Sequence, residues 1–100
     1  IIQISQVRSI MSESDFKEEY LKAFGESLKK IRIESAKKSL RMFAYEADIP
    51  CATLSRLEHG TRIPNIITLK KISSGLNWSI CDLIREIENN IPDKIKNSEL

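Results

Sequence analysis

The chain has 100 residues, 41% apolar and 30% charged, with a formal net charge of +2. That length and balance fit one small globular domain with a modest core and exclude a disordered chain; no apolar run approaches the roughly 20 residues that span a bilayer. The charge is uneven: residues 1–20 hold two basic and four acidic side chains, residues 21–71 eleven and five, and residues 72–100 three and five. A basic middle between acidic ends points to a polyanionic partner for the middle.

Residues 1–7 are β-branched and read as extended, with no second strand signal nearby. Two readings stand for residues 1–10: either Met11 is the natural start and they derive from upstream sequence, or they form an arm that packs on a partner. Residues 1–13 are therefore set apart as an N-terminal arm, 14–91 as the domain, and 92–100 as a polar, frayed tail beyond Pro92. No order of charged, apolar and small residues at the start reads as a secretory signal.

From Ser12 onward the pattern is helical. Ser12-Glu13-Ser14-Asp15 supplies N-cap candidates, and Leu21, Phe24, Leu28 and Ile31 recur at the spacing of one buried helix face. Ser35 to Lys38 reads as a polar break. Ser39 caps a short second helix that turns Leu40, Phe43, Ala44 and Ala47 inward. Asp48-Ile49-Pro50 is a tight turn, because proline disfavours helical geometry at Ile49. A third helix buries Leu54 and Leu57 and ends at Gly60, suited to a left-handed C′ position. After the loop from Thr61 to Pro64, Asn65 caps a fourth helix with Ile66, Leu69, Ile72 and Leu76 inward, closed by Asn77. Ser79 caps a fifth, which carries Ile80, Leu83, Ile84 and Ile87. The expected fold is all-α, with five helices.

The stretch from Phe43 to Gly60 is the informative one. Two short helices joined by a three- or four-residue turn read as a helix-turn-helix. Ala44 is small enough for a close crossing, Ile49 would plug the core from the turn, and Leu54 and Leu57 anchor the second motif helix. Its free face then comprises Cys51, Ala52, Ser55 and Arg56, with Thr53 beside it.

From about Phe24 to Ile84 the sequence resembles the Cro and phage-repressor family of DNA-binding proteins, often called Xre-like. The resemblance runs through Leu28-Lys29-Lys30-Ile31-Arg32, Phe43-Ala44, Thr53-Leu54-Ser55-Arg56-Leu57-Glu58-His59-Gly60, Pro64, Thr68-Leu69-Lys70-Lys71-Ile72 and Leu76-Asn77-Trp78-Ser79-Ile80-Cys81-Asp82-Leu83. It implies a five-helix repressor-like domain that binds double-stranded DNA as a dimer, with the second motif helix in the major groove, where all four base pairs present distinct edges. Carried over by position, the base-facing residues are Cys51, Ala52, Thr53, Ser55 and Arg56. Arg56 can pair bidentately with guanine, Thr53 and Ser55 can bond bases or phosphates, and Cys51 and Ala52 can touch only an apolar group such as a thymine methyl. Phosphate contacts fall on the flanks: Ser39 at the start of the first motif helix with Lys37, Lys38 and Arg41 around it, and His59, Thr61 and Arg62 after the second. The family pairs the glutamate and arginine at Glu58 and Arg32 as a structural tie between helices.

Three departures from the family stand out. Leu40 occupies a position where glutamine is frequent, the break between the first two helices is one residue longer than usual, and Pro50-Cys51-Ala52 is an unusually apolar start for a recognition helix. Proline is tolerated there because its missing N–H has no helical partner in the first turn.

Several side chains carry two readings. Arg56 is a DNA contact or a solvated surface arginine. Cys51, at a helix N-terminus, is an inert thiol or a redox-sensitive one, and Cys81 is read as inert. His59 grips phosphate or complements the helix dipole. Trp78 belongs to the core or to a dimer contact, and the steps Ile80, Ile84, Ile87, Ile91 suit a core or a helix–helix seam; the family resemblance favours a symmetric homodimer through these five residues.

With no CxxC pair and one histidine, no metal site is readable, and the thiols are taken as reduced and cytosolic. No nucleophile–base pair or phosphate loop is present, so the expectation is a cytoplasmic, nucleoid-associated, non-enzymatic repressor without cofactor, membrane attachment or small-molecule ligand. The competing expectation is a protein-interaction module, antitoxin-like, that keeps the fold and binds DNA weakly or not at all.

Overall fold

The computed structural model describes residues 12–96, and no strand occurs among them. The strand-like reading of residues 1–7 and most of the expected arm lie outside these residues. Five helices of seven residues or more are present: α1 (Glu13–Ile31), α2 (Leu40–Glu46), α3 (Cys51–Glu58), α4 (Ile66–Gly75) and α5 (Ile80–Asn89). A single turn, α6 (Asp93–Lys96), follows.

Side-chain caps set the starts. Ser12, Ser39, Asn65 and Ser79 each accept the backbone N–H three residues on, at 3.1, 3.1, 2.8 and 3.0 Å; each satisfies a donor that the helix leaves without a partner. The first turn of α1 is acidic and its last turn basic, complementing the helix dipole. Three ends close alike. After α2, α3 and α4 the chain enters left-handed geometry at Asp48, Gly60 and Asn77. The next N–H reaches back five residues in each case: Ile49 to Ala44 at 2.9 Å, Thr61 to Arg56 at 3.0 Å and Trp78 to Ser73 at 2.9 Å. These are Schellman closures, which satisfy otherwise orphaned carbonyls.

The polar break expected at Ser35–Lys38 is a π-turn over Arg32–Ala36 that continues α1 and ends at Lys37 in left-handed geometry. A π-turn holds one more residue than an α-turn, which matches the one-residue excess at this place in the sequence.

α1 packs on α3, α5 and α6, α2 on α3, and α4 on α5. Phe24, Leu28, Phe43, Leu54, Ile72 and Leu83 meet in the core, with Ile49 plugging it from the turn after α2. Polar ties join α1 to the end of α5: Ser27 Oγ donates to the Ile87 carbonyl at 3.3 Å, Asn90 Nδ2 donates to Ser27 Oγ at 3.2 Å, and the Tyr20 hydroxyl donates to Glu88.

Three apolar assignments change. Ile87 and Ile91, expected in a dimer seam, are 1% and 3% exposed within the chain's own core. Ile91 is drawn in because α6 folds back on α1, with Ile95 half-buried against the core, so the expected frayed tail begins with a packed turn. Ile66, expected inside, is exposed, as is Ile67. It stands at the first residue of α4, about 70° from the centre of the stripe made by Leu69, Ile72, Ser73 and Leu76, and Ser73 takes the buried place beside Ile72. Ile84 lies on the rim of α5, exposed, while Leu83 and Ile87 face inward.

Candidate nucleic-acid interface

The helix-turn-helix spans α2, its turn and α3. Asp48 takes φ 60°, geometry that costs a residue other than glycine, and Ile49 is buried beneath the turn. Pro50 precedes α3 without a side-chain cap, and its ring removes a donor that the helix would have left unsatisfied.

Leu54, Leu57 and Glu58 are the buried residues of α3. Cys51, Ala52 and Arg56 are exposed, and Thr53 and Ser55 half-buried. The five residues expected to face bases therefore lie outside the buried face of one helix. Among the described residues no hydrogen bond or ion pair engages the Arg56 guanidinium.

Behind α3 the backbones of α1 and α3 nearly touch. A Cβ added at Gly25 would lie 2.4 Å from the Leu57 carbonyl oxygen and 2.5 Å from that of Glu58. Glycine is needed there for the approach, a requirement the apolar periodicity of α1 does not reveal. Gly60, at φ 75°, brings the end of α3 against α1, where a Cβ would meet Lys22 Cα at 2.8 Å.

Arg32 and Glu58 form the expected tie. Arg32 Nε donates to Glu58 Oε2 at 2.7 Å and Nη2 to Oε1 at 3.0 Å, a bidentate fork with both residues buried. Nη1 donates to the Lys38 carbonyl at 2.9 Å. One guanidinium thus joins the end of α3 to the residue before the Ser39 cap of α2. The bonds to Glu58 push the Arg32 pKa above its ordinary value, burial pulls against them, and charge attraction adds to them.

The expected phosphate-binding residues divide. Lys37, Arg41 and Arg62 are exposed, with no partner among the described residues. The Lys38 ammonium reaches Glu46 across α2, so its charge is already matched. Ser39 spends its hydroxyl oxygen as an acceptor on the Met42 N–H. The Thr61 hydroxyl donates to the Arg56 carbonyl at 3.2 Å. His59 Nδ1 donates to the Ser55 carbonyl at 2.7 Å, so the second ring nitrogen is left for other partners. Beside it a cleft of about 250 Å³ is lined by Lys22, Glu26, Lys29 and Glu58, and the two lysines of α1 were not in the sequence-based set.

Trp78, Ile80 and Ile84 of the expected dimer face remain at the surface or half-buried, and Trp78 borders a shallow cleft with Asp82, Arg85 and Glu86. Other large apolar side chains also face outward: Met42 and Tyr45 on α2, the latter 83% exposed, and Ile63, Ile66 and Ile67 around the start of α4. Cys51 and Cys81 are exposed free thiols. Among the described residues no group of three or more histidine, cysteine, aspartate or glutamate side chains could hold a metal ion, and no helix is long and apolar enough to cross a membrane.

A helix-turn-helix family model matches residues 28–83. Control protein C.MunI from Mycoplasma sp is 37% identical over 65 residues, covering 65% of this chain and 88% of the relative. The fold matches the crystal structure of the clp gene regulator ClgR from C. glutamicum with a TM-score of 0.62 over 73% of this chain and 92% of the other, at 23% identity. The motif geometry, the family match and the relative agree: the chain belongs to the helix-turn-helix family and is a DNA-binding transcriptional regulator.

Proposed function

We propose that the chain is a sequence-specific control protein that binds a short, partly palindromic operator as a symmetric homodimer, places α3 in the major groove, and represses transcription there. It is a cytoplasmic, nucleoid-associated protein that acts by binding and not by catalysis, with no cofactor. The observation that carries this reading is the outward side of α3, with Cys51, Ala52 and the unpartnered Arg56 exposed, together with the exposed cations Arg41 on α2 and Arg62 in the loop after α3. A duplex supplies what that surface lacks: a guanine edge for the guanidinium, a methyl for Ala52, and phosphates for the flanks. Dimer half-sites of this motif are about 34–36 Å apart, one helical turn, and the exposed Ile84 with the half-buried Trp78 and Ile80 offers the apolar contact a second copy needs.

A second reading, a protein-interaction module, is favoured by the exposed Met42 and Tyr45 and by Ile63, Ile66 and Ile67. Fluorescence anisotropy separates the two, using DNA upstream of the protein's own gene and a scrambled duplex of equal length at two salt concentrations. Tighter binding to the upstream DNA that survives the higher salt is expected. Absence of binding to either duplex would leave the interaction module.

A further inference from the structure

We infer that Lys71, on α4, is a positioning residue for base recognition: it fixes the turn between α2 and α3 and so sets the angle at which α3 meets DNA. This rests on the DNA-reading function proposed above. The Lys71 ammonium donates to the Asp48 backbone carbonyl at 3.1 Å, while the Asp48 carboxylate is farther away, at 3.7 Å, and its side chain is 94% exposed. The backbone is therefore the main partner. The Asp48 and Ile49 N–H groups are committed to closing α2, on the Tyr45 and Ala44 carbonyls. The Asp48 carbonyl accepts no backbone N–H among the described residues, and Lys71 supplies its donor.

Two features make this bond matter for α3. Asp48 holds left-handed geometry without glycine's freedom, and α3 follows Pro50 with no side-chain cap. The start of the recognition helix is thus fixed largely by the turn. An eight-residue helix is about 12 Å long, so a tilt of about 5° at its start moves its far end by about 1 Å. Functional constellations tolerate about 0.5 Å. A small release of the turn would leave the fold intact and misplace Arg56.

The test compares Lys71→Met, Lys71→Arg and Asp48→Asn with the unaltered chain. Binding is measured on a duplex that the unaltered protein selects from a randomised pool and on a scrambled duplex, each across a salt series, alongside thermal melts. Lys71→Met is expected to weaken binding to the selected duplex by about 3- to 10-fold, with the scrambled duplex, the salt slope and the melting temperature nearly unchanged. Lys71→Arg, which keeps a donor, and Asp48→Asn, which keeps the carbonyl and tolerates left-handed geometry, are expected to bind as the unaltered chain does. Equal loss on both duplexes with a salt slope reduced by about one would make Lys71 a phosphate contact and overturn the inference. Loss in Asp48→Asn equal to that in Lys71→Met would overturn it too, by making the carboxylate the partner.

Amide resonances of the free proteins give a readout that needs no DNA. Displaced Ile49 and Cys51 signals in Lys71→Met support the inference, and unmoved ones overturn it. If the unaltered chain selects no sequence, the proposed function fails, and these resonances alone decide whether Lys71 holds the turn.

Discussion

Replacing Glu58 by alanine isolates what the Arg32 tie contributes. In the folded chain the Arg32 guanidinium has three protein acceptors, two on Glu58 at 2.7 and 3.0 Å and the Lys38 carbonyl at 2.9 Å, and the residue as a whole is 7% exposed. Removing Glu58 leaves a buried cation with one acceptor, and water reaches it poorly. Breaking a buried pair from one side costs about 3–5 kcal/mol, a large part of the about 5–15 kcal/mol that holds a small domain folded. Urea unfolding followed by far-ultraviolet circular dichroism should show the midpoint falling at constant slope. The melting temperature should fall by at least about 12 °C, at about 4 °C or more per kcal/mol. Arg32→Met should cost about as much, because it strands the carboxylate. The double variant Arg32→Met, Glu58→Met should be less destabilised than either single change, since apolar groups of similar volume need no partner. A single-variant loss below about 1 kcal/mol would put the pair with solvent-exposed ones and refute the argument, as would losses that simply add in the double variant.

Other outcomes follow from the same contacts. Arg56→Ala should weaken binding to a selected operator by about 1–3 kcal/mol with little change on scrambled DNA, measured by anisotropy; equal loss on both would make Arg56 a phosphate contact. Gly25→Ala should destabilise by at least about 1–3 kcal/mol in urea unfolding, because its Cβ meets carbonyl oxygens at 2.4 and 2.5 Å that no rotamer change can move. Burial, then the hydrogen bond to Glu88 and its charge, raise the Tyr20 pKa well above its ordinary value. The unfolded chain thus loses this proton first, so the contribution is full below about pH 10 and is lost as pH rises beyond it. Tyr20→Phe should flatten the fall in stability above pH 10 in melts at stepped pH, and an unchanged fall would show that another group causes it.

What could be read ahead of the structure was local. A short hydroxyl or amide reaching an N–H three residues on marks a helix start by itself, so Ser39, Asn65 and Ser79 were legible, with Ser12 one of four candidates, as were the closures at Gly60 and Asn77. Periodicity also separated Leu54 and Leu57 from the free face of α3, which made the candidate interface legible in outline. What failed depended on distant packing. A run of isoleucines at steps of four and three suits a core or a seam, and only the packing of α5 and α6 onto α1 assigns Ile87 and Ile91 to the core. Gly25 looks unremarkable in a helix until α3 crosses it, and Lys71 looks like any surface lysine until the turn at Asp48 lies beside it.

The same contacts explain how so sparse a surface can be proposed to read sequence. Of the five base-facing candidates, Cys51 and Ala52 offer no strong hydrogen bond, Thr53 and Ser55 are half-buried, and Arg56 alone has a bidentate fork. Discrimination by one fork depends on its placement, since a guanidinium displaced by 1 Å meets only one acceptor of a guanine edge or none. α3 is braced accordingly at three places. Gly25 lets the α1 backbone lie directly behind it, Arg32 ties its last residue to the start of α2, and Lys71 holds the turn before its first. Loosening any one of them should therefore lower the preference for the operator more than the affinity for DNA in general. The exposed cations Arg41 and Arg62 should do the reverse: their loss weakens binding to every duplex alike and lowers its salt dependence.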